Sequence, residues 1–498
     1  MSRLLRVLLP LASAPLLASC MLLLDFDDLK SNAGEPAAAG GTPDAGGNAN
    51  ANPEAGAGAP PAAGAGGSSC GDCDDGDPCT ADSCDETGSA PACVHETTPH
   101  LALDGIDTVL HAEQHVRVSL AASANSFYLA ALEVDKKVPE ITLYRLASDG
   151  TELETLDKLS SLPLDGTVIS NVGLAVDPTL GGLDLHGFVA VKPALGDAQP
   201  KIVHLVTRNG KTTTQLVAGS SYKADNPWVF PQALAIGNRV VGAWIQADGS
   251  VAVHELIGGT TTFGDPALPA TTLALLSTSD DHPAVLFTAE SNGAALGTYL
   301  ETGGKSRTKV SECQTANGSY VSSSVIATQI PGVWLGNITK ASDQYLTKGG
   351  ATLVCAKNTC VATTDTCQPD DLANSVRDVA GATVHFDTDA PGIVYSVIAI
   401  PQLAPKPDSP SEVVGKLSLA FGQADFSGNK SGDATQLGDL LEIANMDTDA
   451  SLGFAGPDWP AVGILPTEQV AVAWIQPNPG EGGSDLHVQR YKLCLPPP

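Results

Sequence analysis

A chain of 498 residues is longer than a usual single domain, so it must be divided or built from repeats. Lysine and arginine number 26 against 56 acids. The resulting net charge of -30 disfavours nucleic acid and anionic membrane surfaces as partners and suits a soluble body.

The first segment, residues 1–19, reads as an export signal. Arg3 and Arg6 form a positive start, and Val7 to Leu17 form a short apolar run. The alternative is an uncleaved membrane helix, because Val7 to Leu24 is an apolar run of 18 residues. Pro10 and Pro15 interrupt that run. Leu17-Ala18-Ser19-Cys20 resembles the lipobox of bacterial lipoproteins. The resemblance implies cleavage before Cys20, a diacylglycerol on its thiol and acylation of the new amino terminus. Loss of Arg3 and Arg6 takes the charge to -32. Several acyl chains make a durable membrane anchor, each buried methylene adding about 0.8 kcal/mol. Met21, where retained lipoproteins of enteric bacteria carry Asp, implies the outer membrane or cell surface. Within the anchored stretch 20–30, Leu22-Leu-Leu-Asp25-Phe26-Asp-Asp-Leu29 is similar to a segment of myxobacterial lipoproteins.

Residues 31–69 are almost all Ala, Gly, Pro, Asn and Ser, too little apolar surface to offset the entropy of ordering. The segment reads as a flexible tether with a mean span of about 30–40 Å.

Residues 70–98 form a cysteine-rich module with Cys70, Cys73, Cys79, Cys84 and Cys93. Its Cys70-Gly-Asp-Cys73 spacing is zinc-like. In an exported chain such spacing is read as disulfides, and no metal is expected. Asp72, Asp74, Asp75 and Asp77 do not follow the calcium-loop order and read as solvated turn carboxylates. The run Cys73-Asp-Asp-Gly-Asp-Pro-Cys79-Thr-Ala-Asp-Ser-Cys84, closed by Cys93-Val-His95, resembles the short repeat of slime-mould matrix and myxobacterial surface proteins. That implies an extracellular disulfide-bonded module and no activity. Five further cysteines, Cys313, Cys355, Cys360, Cys367 and Cys494, lie beyond. Two odd sets cannot close separately, so full oxidation requires a bridge between module and large domain. Cys355 and Cys360 flank a four-residue turn and read as a hairpin staple.

From 101 to 498 the chain repeats faintly. Val241-Gly-Ala-Trp244-Ile-Gln246 is echoed by Val472-Ala-Trp474-Ile-Gln476, and each leads to a second strand, Val251 to Leu256 and His487 to Tyr491. Five more pairs match: Phe127–Val134 with Ile141–Leu146, Gly187–Val191 with Ile202–Val206, Ala284–Thr288 with Leu296–Leu300, Val333–Ile338 with Gln344–Leu346, and Ile393–Ile398 with Leu417–Phe421. Tyr144, His204, His254, Tyr299 and Tyr345 fall at matching places, and glycine turns follow them. A position that takes either His or Tyr reads as a half-buried packing site. Short strands in seven similar units predict an all-β domain, a seven-bladed β-propeller rather than two stacked sandwiches.

No nucleophile elbow, zinc-protease helix or phosphate loop is present, and no cofactor is expected. Trp228 and Trp459 adjoin prolines, read as loop residues and are the candidate ligand contacts. The loops 401–415 and 477–484 read as the longest insertions. The expected function is a binding or scaffold domain for an envelope protein or glycan; the alternative is a polysaccharide hydrolase or lyase. Of the anchor, intact mass should give a membrane-extracted chain that starts at Cys20 and carries acyl mass. A soluble product starting elsewhere would refute it.

Overall fold

The computed structural model describes most residues from 73 to 495 and none before 73. Its longest internal omissions are 225–229, 315–319, 328–333, 363–374, 387–392, 426–433 and 448–457. The side chains of 308–379, 400–414, 424–440 and 445–459 are also outside the description. Cys20, Cys70, Cys367, Trp228 and the tether therefore lie outside the described residues, as do the side chains of Cys313, Cys355, Cys360 and Trp459. Residues 68–498 group as one compact unit.

That unit is all-β. Besides one small hairpin, the described strands form seven antiparallel sheets in chain order. The first contains Gln114–Ala122, Ser126–Asp135, Val138–Ala147 and Glu154–Leu159. The second contains Gly173–Val176, Asp184–Lys192, Lys201–Arg208 and Lys211–Leu216, with Thr167–Val168 beside them. The third contains Gln232–Ile236, Arg239–Ile245, Val251–Glu255 and Gly259–Phe263, and the fourth Ala274–Ser277, Pro283–Ser291, Ala295–Thr302 and Ser306–Gln314. The fifth is built on Tyr320–Ala327, Trp334–Ala341, Thr352–Ala356 and Thr359–Ala362. In the sixth, Ala380–Val384 borders the long pair Ile393–Lys406 and Ser409–Asp425. The seventh contains Asp458–Ile464, Gln469–Pro477 and Ser484–Cys494, completed by His100–Leu103 and Thr108–Ala112 from the other end of the chain.

The first strand of each sheet touches the first strand of the next, and that of the seventh touches that of the first. This cyclic order is the arrangement of a β-propeller. Packing explains it. Along the second strand of the first sheet, Phe127, Leu129 and Ala131 pack with the seventh sheet, whereas Tyr128, Ala130 and Leu132 pack with the second. In the seventh sheet, Val470, Val472 and Trp474 face the sixth, and Ala471, Ala473 and Ile475 face the first. A strand covered on both faces reads as a continuous apolar run. Outer strands such as Lys211–Leu216 and Gly259–Phe263 are mostly exposed or half-buried, so threonine and lysine serve there.

Among the described residues, neighbouring first strands have no backbone ladder between them, and side-chain amides bridge two of the gaps. Asn171 Nδ2 donates to Val118 O at 2.9 Å, linking the second sheet to the first. Gln232 donates to Leu273 O at 2.6 Å and accepts from Leu275 N at 2.7 Å, linking the third to the fourth. Between the second and third sheets the approach is closer still: a Cβ on Gly242 would stand 2.7 Å from the Phe188 ring. Asn209 and Gly210 both take positive φ in the turn that joins two strands of the second sheet, the conformation a tight hairpin requires.

Trp244 and Trp474 lie on the second strands of the third and seventh sheets, as the repeated motif predicts. Three readings need correction. Residues 401–406 and 409–415 are not a loop, because they continue the long hairpin of the sixth sheet, with Pro401 opposite Leu417 and Pro405 opposite Val413. The second main strand of the fifth sheet is Thr352–Ala356, not the segment around Gln344–Leu346, of which only Leu346–Thr347 adds a short rung. Trp459 stands in the strand Asp458–Ile464, not in a loop; the strand's pairing shifts register between Asp458 and Ala461. Cys355 and Cys360 are opposite each other in their hairpin register.

The remaining hairpin, Thr80–Asp85 with Ala92–Thr97, carries the cysteine module. Cys73 bonds Cys93, and Cys84 is also disulfide-bonded. Cys79 bonds Cys494, 415 residues away in the last strand of the ring, so one bridge does join the two odd sets. Both sulfurs' residues are buried with Ala102. A loop of this length gives about 6 kcal/mol in the chain-entropy model, an upper bound. The double variant Cys79→Ala, Cys494→Ala should lose about 2–5 kcal/mol in non-reducing guanidinium unfolding. An unchanged midpoint would show that the strand pairing alone holds the ring shut.

Candidate functional site

Three groups of polar side chains stand out against this apolar packing. The first crosses the first sheet from its inner to its outer strand. His115, on the inner strand, receives its place from the seventh sheet: its backbone N–H donates to Ser484 Oγ, and its Nδ1 lies 3.0 Å from Ser484 O. Its Nε2 faces Glu133 Oε1 at 3.7 Å. Tyr144 donates to the same oxygen at 2.8 Å, and Lys158 on the outer strand pairs with Glu140 at 2.7 Å and approaches Glu133 at 3.9 Å. Burial alone would raise the Glu133 carboxyl, but His115, Tyr144 and Lys158 outweigh it and hold the group below the usual carboxylate range. The same burial, with the neighbouring carboxylate, pushes the Tyr144 hydroxyl up. An ionised glutamate thus sits in the interface of two sheets with its partners supplied, as a buried charge requires.

Two residues along from His115, the Arg117 guanidinium lies over the Phe230 ring, 4.7 Å from its centre. Arg117 belongs to the first strand of the first sheet; Phe230 precedes the first strand of the third. A contact that skips the second sheet lies on the inner side of the ring.

The second group lies between the second and third sheets. His186 and His204 stack, with Nδ1 and Nε2 3.0 Å apart, and Phe188 stacks on His204 with centres 4.7 Å apart. His254 of the third sheet meets Phe188 edge-on and Trp244 at a tilt. The far side of His186 faces Asp177 at 3.7 Å, beside the Asp184–Arg208 ion pair. Tyr299 stacks on Phe287 in the fourth sheet, and Tyr144 lies in the core between the seventh and first sheets. His204, His254 and Tyr299 are therefore aromatic packing positions beside the second strand, Tyr144 is a buried one that donates to Glu133, and Tyr345 lies outside the described residues.

The third group is on the cysteine hairpin. Asp74, Asp75 and Asp77 accept backbone N–H bonds from Gly76, Asp77 and Cys79. Asp75 also joins Asp82 and His95 in a cluster whose donor atoms lie within 4.8 Å of one another. Sequence reading considered Asp75 with its chain neighbours and missed Asp82 and His95. Only the hairpin register, which sets Asp82 opposite His95, brings them together.

No protein-family model matches the chain, and no curated protein matches it. Among solved structures, a polysaccharide lyase, Uly1, is 9% identical over 77% of this chain and 90% of its own, with a TM-score of 0.41. The Aleuria aurantia lectin, described as a six-bladed β-propeller with a fucose recognition mode, is 11% identical over 67% and 97%, with a TM-score of 0.33. The WD40 domain of SCAP from fission yeast is 10% identical over 78% and 98%, with a TM-score of 0.33. At these scores the arrangement of the sheets, not the likeness, carries the fold.

Burial is the main cause that lowers the imidazoles of His186 and His254, and it takes His204 to about 4 with help from the other two charges. Between the ordinary histidine value near 6.5 and about 4, the unfolded chain then binds more protons than the folded one. Stability is full above that window and falls as pH drops through it, by up to about 3 kcal/mol for His204. His204→Tyr, the residue used in other sheets, should flatten this slope in denaturant unfolding from pH 7 to 4. An equal slope in both proteins would count against it.

Proposed function

We propose that the chain is a lipid-anchored cell-envelope protein whose seven sheets are the blades of a seven-bladed propeller that binds a surface glycan or envelope protein. The anchor rests on Leu17-Ala18-Ser19-Cys20, and the blade count on seven sheets whose first strands touch in a cycle. The observation that carries the binding reading is Arg117 over Phe230. A cation of the first sheet and an aromatic ring just before the third are held together across the second, with the ring two residues after Trp228 in sequence. Aromatic faces and guanidinium groups are what sugar rings and acidic groups pack against. Loops around a rigid ring can form a wide recognition surface.

A glycan array and a pull-down from envelope extract test this directly. A bound ligand should lose affinity at least tenfold in both Trp228→Ala and Arg117→Ala, with folding checked by unfolding midpoints. Binding that survives both substitutions would move the site elsewhere. The alternative is a polysaccharide hydrolase or lyase: turnover of a polysaccharide by the purified chain, abolished by a single acid or histidine substitution, would establish it in place of the binding reading.

A further inference from the structure

We propose that Asp75, Asp82 and His95 form a binding site for a divalent transition-metal ion on the cysteine hairpin. The geometry is the first argument. Two bonds of about 2.0–2.1 Å meeting at a tetrahedral angle separate their donor atoms by about 3.3 Å. His95 Nδ1 and Asp75 Oδ2 stand 3.3 Å apart, His95 Nδ1 and Asp82 Oδ1 stand 2.6 Å apart, and all the donor atoms lie within 4.8 Å of one another, so the cluster is of the size a shared ion requires.

Rigidity is the second argument. Asp75 follows Cys73 by two residues and His95 follows Cys93 by two, so the Cys73–Cys93 bond holds both ligands from one point. Asp82 is opposite His95 in the strand register. Asp75 is fixed further by Thr80 Oγ1, which donates to it at 2.9 Å, and by its own N–H, which donates to Asp82 at 3.1 Å. Little reorganisation is left for binding to offset.

The donor set chooses the metal. Cys73, Cys79, Cys84 and Cys93 are bonded, so no thiolate from them competes. An imidazole with two carboxylates suits zinc and its neighbours, whereas calcium and magnesium prefer oxygen alone. Two carboxylates and a neutral imidazole balance a divalent charge, and water can take the fourth position. An imidazole binds metal only in its neutral form, so protons compete with the ion and binding weakens as pH falls.

The test is titration of the disulfide-intact chain with zinc alone, by calorimetry at pH 7.5 and 5.5. One equivalent should bind at pH 7.5, weaken at least tenfold at 5.5, and weaken at least tenfold in His95→Gln and in Asp82→Asn. In the unaltered chain zinc should also block diethylpyrocarbonate modification of His95, read by peptide mapping. That measurement needs no variant to fold. Absence of saturable binding, binding unchanged in both variants, or modification of His95 undiminished by zinc would each overturn the proposal.

Discussion

A four-stranded sheet cannot bury itself. In this chain the second strand of the first, third and seventh sheets is apolar on both faces, and each face is covered by a different neighbour. A row of such sheets has an uncovered face at each end. Bending the row until its ends meet covers both, and the core shared by the seventh and first sheets is that meeting. Everything else in the unit follows from keeping the contact closed: strands from both ends of the chain in one sheet, a disulfide across the seam, and amide bridges between inner strands.

The polar groups are placed by the same constraint. An interface between two sheets tolerates a charge only where partners arrive from several strands. Glu133 meets this condition with a histidine, a tyrosine and a lysine from the three other strands of its sheet. His186 and His204 meet it differently, by staying neutral and stacking among aromatic rings. The first solution survives acid down to the carboxylate range; the second begins to fail near the ordinary histidine value.

The pairs of strands were legible because double-sided burial writes long apolar runs, such as Phe127 to Leu132 and Val470 to Ile475, into the sequence. Strands with weaker signals were not. Gly173–Val176 and Ala274–Ser277 have four residues each, too few to show a period, and the outer strands look like polar loops. Prolines at 401, 405, 407 and 410 made the sixth hairpin read as an insertion. Two of them are tolerated within paired strands, where other residues carry the ladder. Of the polar sites, Tyr144 and His204 were readable as packing positions by their recurrence. Glu133 was not, since its partners are gathered by strand pairing and not by spacing. Asp82 and His95 were hidden for the same reason.

The seventh sheet has a further consequence, for the order of assembly. Its inner strands come from residues 458–494 and its outer ones from 100–112, so the earliest β-strand of the ring waits for the latest. A chain delivered across a membrane from its amino terminus would have six sheets available before the seventh could begin. Until Cys494 arrives, Cys79 has no native partner and must be kept from pairing within its own crowded module. A chain shortened before its last strand would expose two apolar faces and an unmatched thiol together, which is the kind of surface that quality-control proteases and disulfide isomerases act upon.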